Sequence, residues 1–511
     1  MADQAQKIPS VLQLPLFLLI VGIASATMLF PAIHGVVVRD LETARAFLYS
    51  GMLGLIIFGL IALAHAGRAP RHGTLGPLMS LFSTLVFLPI VLAIPFYEAL
   101  GNTSFLNAYV EMVSAVTTTG ATLFEAPGRL NDTLHLWRAM VGWMGGLLMW
   151  MAASAILAPL SLGGFEVTAR AEPGRGERFD VTMAAPEVRV RVLKAGIGLI
   201  PVYVGLTLLL WVLLIAGGDR TLVALCHAMS ILATSGISPV GGAQNGNSGM
   251  SGEAVMLLVM LFALSRLTFS KDTKVGDEEG LLADPEFRIG IAIVAFVPLF
   301  IFFRHWLGAY DVGEEDSLTE AARALWGGIF TVMSFLTTTG FVSGYWDDAQ
   351  AWSGLSTPGL MLMGLALIGG GVATSAGGVK LLRVFALYRN GRREMERLVY
   401  PSSISTASSA DRRLQRNGAF IAWIFFMLFA VSLAVVTVML TLFAVPFDTA
   451  MIMAVAGLST TGPLLQQAGD VPIRLAEFGG SVKLVFAAAM IVGRLETLAI
   501  IALLTPDLWR G

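Results

Sequence analysis

Long apolar segments recur along the whole chain and constrain its fold more than any other feature. A run of about 18 to 25 apolar residues is long enough to cross a lipid bilayer as an α-helix. With 56% hydrophobic and only 13% charged residues, the chain also lies far from the composition of a soluble domain. The pattern predicts an all-α membrane protein with about ten transmembrane helices. They are expected near residues 9–36, 45–66, 75–100, 134–162, 192–217, 253–269, 287–307, 354–387, 418–444 and 475–505.

Composition also excludes several classes of function. A net charge of -2 without a long basic run gives no reason to expect a nucleic-acid partner. The single cysteine, Cys226, forms neither an intrachain disulfide framework nor a thiolate metal site. The six histidines lack the spacing of metal ligands, and the chain contains no HExxH or GxSxG motif. We therefore expect neither an enzyme nor a bound organic cofactor.

Four shorter apolar segments, of roughly 12 to 15 residues, each run into a hydroxyl-rich turn that contains glycine. They are too short to cross a bilayer, so each is predicted to be a re-entrant half-helix. Their glycines, Gly120, Gly236, Gly340 and Gly462, lie about 105 to 120 residues apart, which indicates an internal repeat. The predicted units are two N-terminal helices in 1–73 and four tandem helix, half-helix, helix pore repeats in 74–180, 181–280, 281–400 and 401–511.

The four turns have the chemistry of a cation filter. A dehydrated cation needs a ring of oxygen dipoles, and backbone carbonyls supply them without fixed charge. Aiming successive carbonyls at one axis requires positive φ, which glycine accepts, while the hydroxyls either offer oxygens or anchor the backbone. A Thr-Gly pair can also simply end a helix, but four at matching places favour a shared central pore. The predicted filter residues are Thr117, Thr118, Thr119, Gly120, Thr234, Ser235, Gly236, Ile237, Thr338, Thr339, Gly340, Phe341, Thr460, Thr461 and Gly462.

Basic residues predict the orientation in the membrane. Arginines cluster after the second, fourth and eighth spans, within 68–71, 170–191 and 389–416, which places these loops and both termini in the cytoplasm. Acidic residues at 311–320 and at 347–348 then fall on the outer face. They either concentrate cations at the pore mouth or serve only as solubilising charge.

Several motifs follow one another in the order seen in a known superfamily. They are VEMVSAVTTTGAT at 110–122, LWRAMVGWMGG at 136–146, CHAMSILATSGIS, DPEFR, SFLTTTGF, GGGVATSAGGVKLLR at 369–383 and VGRLE at 492–496. In these the chain resembles the potassium transporters that include bacterial TrkH, KtrB and plant HKT proteins. The two extra leading helices are similar to the TrkH branch. Ser235, where many TrkH sequences have glycine, and Pro463, directly after the fourth glycine, depart from the pattern without displacing a glycine.

The resemblance implies potassium uptake through four pore units in the bacterial inner membrane. K⁺ is then the transported ion, and glycine at position 120 resembles the residue that potassium-transporting members of the superfamily have in the first turn. It further implies a homodimer embedded in membrane lipid and a cytoplasmic nucleotide-binding regulatory ring of the TrkA type. The chain itself has neither a GxGxxG motif after a strand pattern nor a Walker sequence, so nucleotide sensing is expected in that separate protein.

Arg494 lies inside the last predicted span, where an ionised side chain is costly and is by default a functional candidate. The resemblance implies that this arginine faces the pore below the filter as a barrier to cations. A structural pair with Glu496 or with a neighbouring helix is the alternative.

A run of glycines and small hydroxyl residues, GGGVATSAGG, interrupts the eighth span. The resemblance implies a gate that obstructs the pore until a cytoplasmic partner pulls on the following helix. A kink for close helix packing is the alternative. The residues assigned to the gate, besides Arg494, are Gly369, Gly370, Gly371, Thr374, Ser375, Gly377 and Gly378.

The main rival function is a secondary transporter that couples potassium or sodium to protons around a midplane site. It predicts buried carboxylates in the spans, for which Glu496 is the best candidate. Glu111 is expected either to support the first turn from behind or to face the outer side. Lys380 and Lys483 are expected to reach an interface with their ammonium groups.

Overall fold

The computed structural model describes residues 14–65, 76–157, 185–265, 284–308, 318–354, 357–399 and 409–496. Every regular element within these ranges is helical. Seven helices there are long and apolar enough to cross a membrane, and five shorter apolar helices accompany them. The predicted all-α membrane fold is therefore confirmed.

The two N-terminal spans form three helices, α1 (Leu16–Thr27), α2 (Leu29–Val37) and α3 (Leu41–His65). The first apolar stretch is divided at Met28 because Pro31 has no N–H to donate to the carbonyl of Thr27, where α1 stops. Both pieces pack against α3.

The rest of the chain repeats one pattern four times: a long helix, a short helix that ends in a glycine turn, and a return segment. Three of the four short helices have 12 or 13 residues, as predicted, whereas the third, Leu318–Leu336, is longer than predicted at 19 residues. The first two units contain α4 (Gly76–Leu100), α5 (Phe105–Val116), α6 (Asp132–Ala152), α7 (Ala185–Ala216), α8 (Thr221–Ala233) and α9 (Gly249–Met260). The last two contain α10 (Pro285–Gly308), α11 (Leu318–Leu336), α12 (Trp346–Ser353), α13 (Gly359–Ile368), α14 (Leu381–Val399), α15 (Ser409–Leu442), α16 (Phe447–Leu458), α17 (Leu464–Gln467) and α18 (Gly480–Leu495).

The helices of successive units close into a ring. The return helix of each unit packs against the short helix of the next: α6 against α8, α9 against α11, and α13 against α16. Helix α18 of the last unit packs against α5 of the first, which closes the circle. Because every short helix is held in the same way, the turns that end them converge on the centre of the ring.

The eighth predicted span is interrupted as expected. Helix α13 stops at Ile368, and α14 begins only at Leu381. Gly369 and Gly378 have φ of 74° and 77°, a backbone conformation that only glycine adopts cheaply. We call residues 369–378 the glycine loop.

Some predictions fall on parts of the chain that the structure does not describe. These are the arginines within 68–71 and 170–178 and the acidic residues from 311 to 316. The orientation of the chain in the membrane and the boundaries of the four repeats stay predictions.

Candidate functional site

The four turns touch one another around the centre of the ring. A Cβ atom built on any of the four glycines would collide with the next turn in chain order, and for the fourth glycine that neighbour is the first turn. A residue larger than glycine therefore cannot occupy these positions without moving a neighbouring turn. The clashes are 1.9 Å from Gly120 to the Ser235 carbonyl oxygen, 2.3 Å from Gly236 to the Thr339 carbonyl oxygen, 2.7 Å from Gly340 to Pro463 Cγ and 2.1 Å from Gly462 to Ala121 N.

Positive φ is not confined to the glycines. In each turn the threonine two positions before the glycine is also left-handed, with φ between 49° and 58°. This conformation is uncommon for a β-branched residue and persists only where the surroundings impose it. The four threonines are Thr118, Thr234, Thr338 and Thr460.

The fourth turn differs from the other three. Gly120, Gly236 and Gly340 have φ of 72°, 64° and 79°, whereas Gly462 is absent from the positive range. The expectation of a positive-φ glycine in every turn is therefore wrong for Gly462. Two features account for this difference: the proline at the next position disfavours helical backbone conformations for Gly462, and the Gly462 N–H donates to the Thr119 carbonyl oxygen of the first turn at 2.6 Å.

In three of the turns, two hydroxyl groups of the same turn form a hydrogen bond with each other. The first and third residues of each hydroxyl triplet pair through their oxygens: Thr117 with Thr119 at 2.8 Å, Thr337 with Thr339 at 3.1 Å, and Ser459 with Thr461 at 3.2 Å. In the second turn Ala233 takes the first place, and the Ser235 hydroxyl bonds to Ser230 at 3.2 Å instead. Of the two roles expected for the hydroxyls, these groups anchor the backbone.

The structure brings together all fifteen residues that the sequence assigned to the turns. Ile237 and Phe341 follow their glycines and are almost fully buried. They line a cavity at one end of the ring, together with the four glycines and Pro463. We call this cavity the mouth.

The glycine loop lies directly against the opposite side of the turns. The Thr234 hydroxyl donates to the Ser375 hydroxyl at 3.0 Å, and the Gly377 N–H donates to the Thr338 hydroxyl at 2.8 Å. A Cβ atom on Gly377 would lie 2.1 Å from the Ser459 carbonyl oxygen. The loop thus contacts the second, third and fourth turns. The hydroxyls of the remaining left-handed threonines, Thr118 and Thr460, are buried and have no hydrogen-bond partner within the described ranges.

Arg494 is buried beside the loop. Its Nη1 atom donates to the Ser375 carbonyl oxygen at 2.5 Å, while Nε and Nη2 have no hydrogen-bond partner in the described part of the chain. Glu496, the partner considered for it, accepts a bond from Arg383 at 2.7 Å instead. Arg494 and Lys380, which lies two residues beyond the glycine loop, line a small second cavity on this side of the turns.

The loop is held by groups that sequence reasoning missed. The Glu286 carboxylate accepts the Val372 N–H at 3.0 Å, and the Ala263 carbonyl accepts the Gly371 N–H at 2.9 Å. Lys380 does not reach an interface: only 6% of it is exposed, and its ammonium donates to the Ala376 carbonyl oxygen. A usable signal was present, since Glu286 and Lys380 are charges at the edges of apolar segments.

Glu111 supports the first turn from behind, which was one of its two expected positions. Only 2% of this residue is exposed. One carboxylate oxygen pairs with Arg138 at 2.7 Å, and the other accepts the Leu123 N–H at 2.9 Å, three residues beyond Gly120. Lys483, expected to snorkel, is 7% exposed and donates to Asn107 at 3.0 Å.

Glu125 is the acidic residue of the mouth. Its Oε2 atom lies 3.4 Å from Arg474 Nε, and its other oxygen has no hydrogen-bond partner among the residues described. Burial raises the pKa of the Glu125 carboxyl, with a smaller contribution from the charge of Glu477, and Arg474 opposes the rise. Asp347 and Asp348 are exposed on α12.

Comparisons with known proteins agree with this geometry. A family model described as TrkH, a cation transport protein, matches residues 287–508. The potassium uptake protein TrkH of the Trk system of Salmonella typhimurium is 28% identical over 508 residues, covering 96% of this chain and 98% of the relative. The Escherichia coli K12 protein of the same name is 27% identical over 504 residues, with the same coverage. TrkI of Halomonas elongata is 29% identical over 437 residues, covering 84% of this chain and 81% of its own.

The fold has a close counterpart among solved structures. The crystal structure of the potassium transporter TrkH from Vibrio parahaemolyticus superposes with a TM-score of 0.79 at 23% identity, covering 98% of this chain and all of the other. Nearly full-length relatives, a family model over residues 287–508 and a shared fold show that this chain is similar to the TrkH cation transport proteins along almost its whole length.

Proposed function

We propose that this chain takes up potassium across the bacterial inner membrane through a channel-like pore. The four Thr-Gly turns form its selectivity filter. The observation that carries the proposal is the closed ring of glycines, in which each turn is in contact with the next. Backbone carbonyls of four such turns around one axis replace the water of a dehydrated cation. The names of the Salmonella and Escherichia relatives support potassium as the ion.

The glycine loop and Arg494 form the proposed gate. The loop contacts three of the four turns from one side, so it blocks the way out of the filter on that side while it holds this position. Arg494 adds a buried positive charge at the same place, with two nitrogen atoms that have no hydrogen-bond partner among the described residues. Loop and charge together make a closed state whose opening requires movement of α14, the helix that follows the loop.

Proton-coupled transport at a midplane site receives less support. Such a site needs carboxylates that can take up and release ions. Glu111 and Glu496 are committed to buried arginines, and Glu253 accepts hydrogen bonds from Trp326 and from the Ser343 hydroxyl, each at 2.7 Å. Conduction needs no such residue, because the filter carbonyls alone bind the ion.

We place the mouth outside the cell and both termini in the cytoplasm, following the arginine-rich loops. The functional unit is proposed to be a homodimer. A cytoplasmic nucleotide-binding ring of the TrkA type is proposed to bind to it and open the pore. The shared name of the relatives, which are parts of a Trk system, supports such an assembly. Pulling on α14 is the simplest action for this partner, since α14 is joined directly to the loop.

The test is ion uptake into liposomes that contain the purified protein. Rubidium uptake is measured in competition with potassium and with sodium, for the wild type and for single serine replacements of Gly120, Gly236, Gly340 and Gly462. We expect potassium to compete strongly in the wild type, and each replacement to weaken that preference or abolish uptake. Gly364→Ser is the control, because a side chain at Gly364 meets nothing within 4 Å. Potassium preference that survives all four replacements would refute the filter.

A further inference from the structure

The residue nine positions before each turn glycine is buried on the short helix, where it can reach the segment that follows the glycine. In the first three turns this residue is polar. The four residues are Glu111, His227, Thr331 and Met453. A polar side chain at this position is able to form a hydrogen bond with the segment beyond the glycine, and an apolar one is not.

The first turn has the strongest contact of this kind. The Leu123 N–H donates to the Glu111 carboxylate at 2.9 Å, and Arg138 on α6 balances the charge at 2.7 Å. All three groups are buried, so the hydrogen bond is not in competition with water.

His227 makes the corresponding contact in the second turn. Its Nε2 atom lies 2.8 Å from the hydroxyl of Ser238, two residues beyond Gly236. The Ser238 hydroxyl in turn accepts the Val240 N–H at 3.2 Å. The ring of His227 also packs edge-on against Phe341 of the third turn, with centroids 5.4 Å apart.

Thr331 makes the contact in the third turn. Its hydroxyl accepts the Ser343 N–H at 3.3 Å, three residues beyond Gly340. Glu253 reinforces the same segment from α9, because it accepts the Ser343 hydroxyl at 2.7 Å and the Gly344 N–H at 2.6 Å.

The fourth turn has an apolar residue at this position, and it is also the turn with the deviant backbone. Met453 offers no oxygen or nitrogen to the segment beyond Gly462. Gly462 lacks the positive φ of the other glycines, and its N–H donates to Thr119 of the neighbouring first turn. Pro463 then lies against two other turns: Cβ atoms on Gly236 and Gly340 would be 2.9 Å and 2.7 Å from its Cγ atom.

We propose that Glu111, His227 and Thr331 are positioning residues that hold the first three turns in the geometry that selects the ion. None of them needs to touch the ion, since each acts through the backbone or a hydroxyl beyond a filter glycine. The inference rests on the proposed filter function. It adds that selectivity depends on three buried side chains behind the filter, and that the fourth turn lacks this support.

Two sets of variants test the proposal. The double variant Glu111→Met with Arg138→Met gives the first turn the apolar residue of the fourth and leaves no buried charge unpaired. Thr331→Val removes one hydroxyl at nearly constant volume, and Thr331→Ser restores it. Met453→Leu is the matched control at the position without a hydrogen bond. Size-exclusion profiles and melting temperatures establish that each variant is folded.

The first measurement is amide hydrogen exchange, which does not depend on transport. We expect exchange in residues 121–126 to be about tenfold faster in the double variant, and exchange in residues 341–346 about two- to tenfold faster in Thr331→Val. Thr331→Ser and Met453→Leu should match the wild type. Unchanged exchange in both test variants would overturn the proposal.

The second measurement is the ratio of potassium to sodium uptake, which should fall by about two- to tenfold in the same two variants. Faster exchange with an unchanged ratio would overturn the link to selectivity. If the wild type itself showed no preference for potassium, the proposed function would be refuted. The proposed link between these side chains and selectivity would then be refuted as well. The exchange data would still decide whether these side chains hold the turns.

Discussion

Arg494 donates a hydrogen bond to the carbonyl oxygen of Ser375, and the hydroxyl of the same Ser375 accepts one from Thr234 in the second turn. One loop residue thus connects the buried positive charge with the base of the proposed filter. A movement of the loop away from both the turns and α18 would break both hydrogen bonds of Ser375. The charge and the loop are therefore parts of one hydrogen-bonded arrangement.

Replacing Arg494 with glutamine should raise cation flux. At about 5 Å and an effective dielectric constant of about 20, a buried positive charge opposes a cation by about 3 kcal/mol, and its loss also frees Ser375. Rubidium uptake into liposomes measures the effect, and we expect an increase of about tenfold or more. Arg392→Gln is the control, since Arg392 is 65% exposed and forms an ion pair with Glu396 on the surface of α14. Equal or lower flux in well-folded Arg494→Gln would contradict the barrier.

Alanine at Gly377 should make the protein leaky. The added Cβ atom would lie 2.1 Å from the Ser459 carbonyl oxygen and 2.3 Å from the Thr460 hydroxyl, so the loop has to move away from the fourth turn. Basal uptake in the absence of any cytoplasmic partner is the measurement. Gly364→Ala, in the helix before the loop, has free space and should behave as wild type. A tightly closed Gly377→Ala variant would favour the alternative that the loop is only a kink for helix packing.

The ion pair between Arg383 and Glu496 should contribute strongly to stability. It joins α14, which follows the loop, to the end of α18, which carries Arg494, and the Arg383 guanidinium also lies 3.5 Å above the centroid of Phe425. Arg383→Gln leaves a carboxylate that is only 11% exposed without its partner, at a cost of about 3 kcal/mol. Thermal unfolding in detergent tests this, with Arg392→Gln as an exposed control that should leave the melting temperature unchanged. A loss no larger than that of the control would show that the pair is not a structural link.

Much of this architecture could be predicted from the sequence because it follows from length and glycine placement. The half-helices, the four turns and the break in the eighth span each rest on a local signal, such as the short apolar run before Gly120 or the glycines from Gly369 to Gly378. Because the thickness of the bilayer is fixed, the length of an apolar segment indicates whether it can cross the membrane as a helix. The ring of contacts among the glycines also follows once four short helices are equivalent.

Tertiary pairing could not be predicted in the same way. Glu496 is two residues from Arg494, yet it pairs with Arg383, which is more than a hundred positions away in the chain. The positive φ of Thr118 is equally hidden, since it depends on packing against other turns rather than on the residue type. The contacts behind the turns were within reach of the sequence, because Glu111, His227 and Thr331 share one offset from their glycines. The three residues are of different types, a carboxylate, an imidazole and a hydroxyl, so their common position is not visible as a repeated residue in the sequence.

Uptake should depend on the pH at the mouth through Glu125. Burial raises the pKa of this carboxyl, so it stays protonated and neutral to a higher pH than a glutamate in water. As the pH rises through that pKa, the mouth gains a negative charge that attracts cations. We therefore expect potassium uptake to increase with external pH across this range, and more steeply at low ionic strength, where the charge is less screened.

Two variants fix the sign of this pH dependence. Glu125→Gln removes the titrating group. Potassium uptake should then no longer change with pH and should stay at the rate that the wild type shows when Glu125 is protonated. Arg474→Gln removes the positive charge that opposes the rise in pKa, so the profile should move to higher pH. A shift to lower pH in Arg474→Gln, or an unaltered profile in Glu125→Gln, would mean that a group other than Glu125 sets the pH dependence. Liposomes with fixed internal pH and varied external pH separate the mouth from titrating groups on the other side of the membrane.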